Sequence, residues 1–116
     1  MLRVFVAGST GVIGRLLVPA LVARGHAVSA MTRRRAAAQA LRALGAEPHI
    51  ADAFDRDAVI AAVARARPDV VVHQLTDLGG GAGSAANAAL RAEGTRNLVD
   101  AGEPRRTTVL GVAALE

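Results

Sequence analysis

Short apolar runs alternate along the chain with segments whose apolar residues recur at helical spacing. The first run, Leu2–Ala7, is rich in valine and ends at Gly8, which is typical of a buried strand. The next segment, residues 12–24, has an apolar side chain every three or four positions and predicts a helix that Gly25 ends. Inside this helix we expect a kink at Pro19 and no break, because the periodicity continues past it.

The same strand and helix unit recurs through the rest of the chain. The pattern predicts further strands over 27–32, 48–51, 69–75 and 107–113. It also predicts a helix over 36–44, a helix capped by Asp55 and followed by Pro68, and a helix from a Ser84 cap to about Ala101. The glycine cluster at 78–84 predicts a loop.

Strands that alternate with helices of this length form parallel sheets with right-handed crossovers. We therefore predict an α/β fold: one domain over residues 1–116 with a doubly wound parallel sheet of five strands in the order 3-2-1-4-5. In such a sheet a ligand lies at the carboxyl ends of the first and fourth strands, where the strand order reverses.

The turn after the first strand carries the most specific motif. VFVAGSTGVIG places Gly8, Gly11 and Gly14 three residues apart between a predicted strand and a predicted helix. Gly8 permits a tight exit from the strand, Gly11 lets a pyrophosphate approach the backbone, and Gly14 lets the helix pack closely. The helix N-terminus offers N–H groups to phosphates. A turn without a ligand is the alternative, but the strand-turn-helix context favours dinucleotide binding.

Arginines follow the second strand, at the place where an acidic residue would hold the ribose of NAD. Thr32 is followed by Arg33, Arg34 and Arg35, whose guanidinium groups match the additional phosphate of NADP. The alternative is a solvated charge run, although cations at a helix start oppose the helix dipole. The sequence therefore predicts NADP in preference to NAD.

Two polar residues end the third and fourth strands. Asp52 could accept a hydrogen bond from an adenine amino group, or it could cap or precede the next helix alongside Asp55. His73 lies in an apolar strand and is interpreted as a satisfied core residue, with no second ligand spaced to form a metal site.

The amino-acid composition excludes several kinds of chemistry. The chain has no Cys, Trp or Tyr, and all 14 basic residues are Arg, so thiol, phenol and side-chain amine chemistry is absent from it. The net charge is +4, but the arginines are dispersed among ten acidic residues, so we expect no nucleic-acid partner. No membrane span or targeting segment is recognisable, so a cytoplasmic location is expected.

Four segments together resemble a known family: AGSTGVIG, LVARGHAV, DVVVHQLTD and EGTRNLVDA. From about Met1 to Ala101 the chain resembles the amino-terminal Rossmann portion of the NAD-dependent epimerase/dehydratase family, the extended or atypical short-chain dehydrogenase/reductases. The resemblance implies a dinucleotide site. Its residues would be Gly8, Thr10, Gly11, Val12, Ile13 and Gly14 at the pyrophosphate, Thr32, Arg33 and Arg34 at the adenosine ribose phosphate, Asp52 and Ala53 at the adenine, and Leu75 and Thr76 at the nicotinamide ribose.

Catalysis in this family uses a Ser or Thr, a Tyr and a Lys, and this chain departs from that pattern. It has neither Tyr nor Lys, Gly111 stands where the serine would fall, and Arg91 replaces a frequent Asn. The likeness fades over 102–116. We therefore expect a truncated domain that binds NADP without turnover and contributes no catalytic residue.

Other functions remain open. The chain could be a redox sensor similar to the NmrA-like regulatory proteins, a non-functional fragment, or an enzyme that uses His73, Thr76 or Asp77. If the family's following helix is missing, the helix over 84–101 would be left partly uncovered. Self-association through that helix is then expected, with Leu90, Leu98 and Val99 partly exposed.

Overall fold

The computed structural model describes residues 1–8, 12–74 and 85–111. Within them, five parallel strands alternate with four α-helices. The strands are β1 (Arg3–Ala7), β2 (Ala27–Thr32), β3 (Glu47–Ile50), β4 (Val70–His73) and β5 (Thr108–Gly111); the helices are α1 (Val12–Ala23), α2 (Ala38–Ala43), α3 (Arg56–Ala66) and α4 (Ala85–Gly102). The strand order is β3-β2-β1-β4-β5, which confirms the predicted doubly wound sheet.

Helices cover both faces of the sheet. Side chains alternate along a strand, so neighbouring residues of β1 enter different cores. Val6 packs with Val18 and Leu41 beneath α1 and α2, whereas Phe5 packs with Val59 and other residues beneath α3 and α4. Because β1 is buried on both faces, its sequence is a continuous apolar run instead of an alternating one.

The predicted helix boundaries are largely confirmed. The Asp55 carboxylate accepts a hydrogen bond from the Ala58 N–H at 3.1 Å and caps α3. Gly25 and Gly45 follow α1 and α2 with φ of +85° and +92°. Pro19 lies within α1, which continues past it.

The second helix differs from its prediction. The segment predicted as one helix over 36–44 starts as a 3-10 turn at Arg35–Ala37 and continues as α2. Arg34 precedes the 3-10 turn and Ala37 precedes α2, and neither caps its helix with a side-chain hydrogen bond. The first backbone N–H groups therefore have no capping side chain as acceptor. A tighter first turn is the common substitute.

The prediction that Leu98 is partly exposed is wrong. Leu98 is fully buried in the core beneath α3 and α4, whereas Val99 is 46% exposed, as predicted. The reason is the position of each residue around the helix. Leu98 lies on the inward face with the buried Asn97 and Ala101, and one further step of about 100° turns Val99 towards solvent. The Leu90 side chain, Ser84, the loop at 78–84 and residues 112–113 lie outside the described residues.

None of the helices among the described residues is both long and apolar enough to cross a bilayer.

Candidate functional site

The carboxyl ends of the strands meet at one edge of the sheet. Ala7 is in register with Met31 on one side and with His73 on the other, and His73 is in register with Gly111. The chain winds towards β3 from one side of β1 and towards β5 from the other, so the strand order reverses between β1 and β4. Ligands of doubly wound sheets bind at this kind of reversal.

The opposite edge uses its own polar groups internally. The Arg3 main-chain N–H donates to the Asp69 carboxylate at 2.8 Å, and the Thr107 hydroxyl donates to the Pro68 carbonyl at 3.1 Å. The carboxyl edge is the candidate ligand site because the strand order reverses there.

Gly8 forms the exit from β1. Its φ of +86° lies in the left-handed region that side chains with a Cβ disfavour, and it directly follows Ala7, the last residue of the strand. The Gln74 N–H donates to the Ala7 carbonyl at 2.8 Å, which holds the exits of β1 and β4 side by side. Gly14 is buried in the first turns of α1. Gly8 thus has the conformation that a tight strand exit requires, and the contacts of Gly8 and Gly14 with a dinucleotide stay a prediction.

Several predicted residues of this site cannot be placed. Thr10 and Gly11 lie in 9–11, and Leu75, Thr76 and Asp77 in 75–84, all outside the described residues. For Val12 and Ile13 the structure describes the backbone of α1 but not the side chains.

The end of β2 forms a compact turn that presents arginines. Thr32 is buried, and its hydroxyl accepts a hydrogen bond from the Arg34 N–H at 3.1 Å. The turn exposes the side chains of Arg33, Arg34 and Arg35. In this structure Thr32 shapes the turn, and its contact with a ligand remains a prediction.

After β3, Asp52 and Asp55 have different structural roles, which the sequence left undecided. Asp55 caps α3, while the exposed Asp52 accepts the Phe54 N–H at 2.9 Å on its carboxylate and the Asp55 N–H at 2.9 Å on its carbonyl. Ala53 is buried, and its carbonyl accepts a hydrogen bond from the Asn97 side-chain amide at 2.7 Å. Asp52 therefore starts the turn that precedes the helix, and it is not the cap.

Asn97 was not singled out from the sequence. The available signal was a polar residue on the inward stripe of α4, next to Leu98 and one turn before Ala101.

The end of β4 has a satisfied histidine. His73 is buried, and its Nε2 shares a hydrogen bond of 2.5 Å with the Thr95 hydroxyl on α4. This agrees with its interpretation as a core residue. Within the described ranges, no group of three or more His, Cys, Asp or Glu side chains is arranged to hold a metal ion.

His49 is a second buried histidine, within β3. Among the described residues its Nε2 has no hydrogen-bond partner, and its ring lies 5.8 Å from that of Phe5. Burial lowers the pKa of His49 below its ordinary value of 6.5; Glu47 opposes this shift and Arg65 adds to it. At neutral pH the imidazole is therefore uncharged in the folded chain.

We expect His49 to make the chain less stable in mild acid. Below about pH 6.5 the unfolded chain binds a proton at this position more readily than the folded chain does, so the free energy of unfolding falls as the pH drops. The slope from one such group is at most about 1.4 kcal/mol per pH unit. Urea unfolding between pH 7.5 and 5 should show it.

The control for this prediction is His49→Leu, which removes the titrating group and leaves the other two histidines unchanged. Its stability should fall less steeply with acid than that of the parent. Identical pH profiles for the two proteins would show that His49 does not contribute.

Comparisons with known proteins agree with this architecture. Residues 4–112 match the model of the family described as the NAD dependent epimerase/dehydratase family. A curated relative from Streptomyces sp, named 3-diazoavenalumate denitrifying reductase, is 53% identical; the match covers 86% of this chain and 33% of the relative.

Two solved structures share the fold. One is the Bordetella bronchiseptica enzyme WbmG in complex with NAD and UDP, with a TM-score of 0.79, 18% identity, and coverage of 95% of this chain and 36% of that protein. The other is Thermus thermophilus UDP-glucose 4-epimerase in complex with NAD, with a TM-score of 0.76, 24% identity, and coverage of 90% and 34%.

The chain thus spans about one third of the length of these relatives and solved structures. With a family match over nearly all of its residues, this chain belongs to the NAD dependent epimerase/dehydratase family.

Proposed function

We propose that this chain binds a nicotinamide dinucleotide at the carboxyl edge of its sheet and prefers NADP to NAD. The observation that carries the proposal is the reversal of strand order between β1 and β4, with Gly8 in a left-handed conformation at the exit of β1. That exit leads into α1, whose N-terminus favours a pyrophosphate. Both solved structures described above contain NAD.

The loop after β3 has the donor and acceptor pattern of an adenine site. Asp52 is exposed, so its carboxylate can accept a hydrogen bond from the adenine amino group. The Ala53 N–H has no acceptor within the described residues and can donate to a ring nitrogen. The residues present therefore fit the base end of a dinucleotide.

The turn after β2 supports the preference for NADP. Thr32 fixes the turn through the Arg34 N–H, and Arg33 and Arg34 extend into solvent beside the end of the strand. Guanidinium groups bind phosphate through paired hydrogen bonds, whereas the ribose hydroxyl of NAD offers them no charge.

A bound nicotinamide would supply hydride chemistry. The Streptomyces relative is named as a reductase, which uses this kind of chemistry. The residues of this chain would bind and orient the cofactor. No Tyr and no Lys occurs among its 116 residues, so they do not provide the family's Tyr–Lys proton relay. For this chain by itself we propose binding without turnover, and no catalytic residue.

The arginines provide the test of cofactor preference. Arg33→Ala and Arg34→Ala should each weaken NADPH binding about tenfold, because a charge-assisted hydrogen bond is lost, and should change NADH binding little. Isothermal titration of each variant with both cofactors measures this. Arg105→Ala is the matched control, since Arg105 is an exposed arginine after α4, at the opposite edge of the sheet.

Two outcomes would contradict the proposal. Equal affinities for NADPH and NADH, unchanged in both variants, would mean that the arginines are a solvated charge run. A folded parent that binds neither cofactor would end the proposal of dinucleotide binding.

Three further expectations also stand as proposals: a single domain over 1–116, a cytoplasmic location, and self-association through the helix over 84–101. The last now depends on Val99, because Leu98 is buried.

A further inference from the structure

α4 contacts the last residue of one strand and the loop after another through polar side chains. Thr95 bonds to His73 at the end of β4, and Asn97 bonds to the Ala53 carbonyl in the loop after β3. Asn97 and His73 are buried, and the two contacts come from positions only two residues apart on the helix. A hydrogen bond in a buried setting is costly to leave unmade, so both contacts restrict the groups that they reach, the His73 ring and the Ala53 peptide.

The Asn97 contact acts on one peptide plane. The carbonyl of Ala53 and the N–H of Phe54 belong to the same planar group, so they turn together. Asn97 donates to the carbonyl at 2.7 Å, and the N–H donates to the Asp52 carboxylate at 2.9 Å. Rotation of this peptide would break both bonds at once. The orientation of the Asp52 carboxylate is therefore linked to Asn97, 45 positions later in the chain.

We propose that Asn97 is a positioning residue for recognition of the adenine base. By fixing the peptide between Ala53 and Phe54, it keeps one Asp52 carboxylate oxygen on the Phe54 N–H and leaves the other for the adenine amino group. The inference rests on the proposed dinucleotide site. It assigns base specificity to a residue of α4 that itself touches no base.

Asn97→Asp is the informative substitution. It keeps the size of the side chain but replaces the amide donor by a carboxylate, which cannot donate to the Ala53 carbonyl and repels its oxygen. The peptide plane loses its anchor, and the Asp52 carboxylate loses its fixed orientation. Asn97→Ser is a second variant, which introduces no charge, in case the aspartate variant does not fold.

The experiment compares NADPH with its hypoxanthine analogue, in which a carbonyl replaces the adenine amino group. The parent should bind NADPH about tenfold more tightly than the analogue, because the analogue cannot donate to Asp52. In Asn97→Asp or Asn97→Ser that ratio should approach one. A merely structural role would weaken both ligands equally and leave the ratio unchanged.

Two substitutions on the same helix serve as controls. Thr95→Val removes the contact with His73, so it should weaken both ligands without changing their ratio. Glu93→Gln, at an exposed position, should change neither affinity.

The outcomes separate the two proposals. A parent that discriminates between the ligands, with the same ratio in a folded Asn97 variant, overturns the role of Asn97 and leaves dinucleotide binding intact. A folded parent that binds neither ligand overturns dinucleotide binding, and the role of Asn97 with it.

Discussion

Gly8→Val is expected to weaken NADPH binding by about a hundredfold or more. Gly8 has a φ of +86°, and a β-branched residue in that region costs about 1–3 kcal/mol of backbone strain, which the chain relieves by redirecting its exit from β1. A redirected exit would no longer lead the chain into the proposed pyrophosphate site at the N-terminus of α1, so cofactor affinity would fall. Calorimetric titration measures the loss of affinity, and thermal unfolding measures the accompanying loss of stability.

Gly25 offers a matched control for this prediction. It has nearly the same conformation, with a φ of +85°, but it follows α1, leads towards the start of β2, and has open space around the position of an added Cβ. Gly25→Val should therefore lose stability from similar strain while it keeps its affinity for NADPH. Equal losses of affinity in both variants would mean that the effect comes from general destabilisation and not from the site.

Leu98→Ala is expected to destabilise the fold by about 2–5 kcal/mol. The Leu98 side chain is fully buried beneath α3 and α4, and truncation of a buried leucine removes apolar contacts and leaves a cavity. A loss of this size is a large share of the total stability of a domain of this length. Urea unfolding monitored by circular dichroism gives the change in free energy.

Val99→Ala, at the next position on the same helix, should cost less than about 0.5 kcal/mol, because Val99 is about half exposed. If both truncations lower the free energy of unfolding equally, the assignment of Leu98 to the inward face of α4 would be wrong. The pair also tests the corrected orientation of the helix, because partial exposure of Leu98 would predict two small effects.

The fold was largely predictable because its determinants are local. β2 was predicted to the residue, since its apolar pattern is interrupted by a glycine and histidine before it and by arginines after it. The parallel order followed from strands that alternate with helices. It also placed Thr32 and His73, which end their strands, at the same edge as Gly8 and Asp52, which follow theirs.

The partners of the site residues were less predictable because they lie far apart in the chain. No local pattern connects Asn97 with Ala53 or Thr95 with His73, since those hydrogen bonds depend on how α4 packs on the sheet. The exposure of Leu98 was predicted wrongly for a different reason. It was inferred from a neighbour that relatives have, although the helical phase already places Leu98 beside the inward Asn97 and Ala101.

The central claim is that a dinucleotide binds at the carboxyl edge of the sheet, and amide chemical shifts of the nitrogen-15-labelled chain test it most directly. Addition of NADPH should shift the amide signals of Gly8, of residues 32–34 and of residues 52–53. The signals of Arg3 and Asp69, at the opposite edge, should stay unchanged. Shifts concentrated at the opposite edge, or no shifts in a folded chain at millimolar NADPH, would contradict the account.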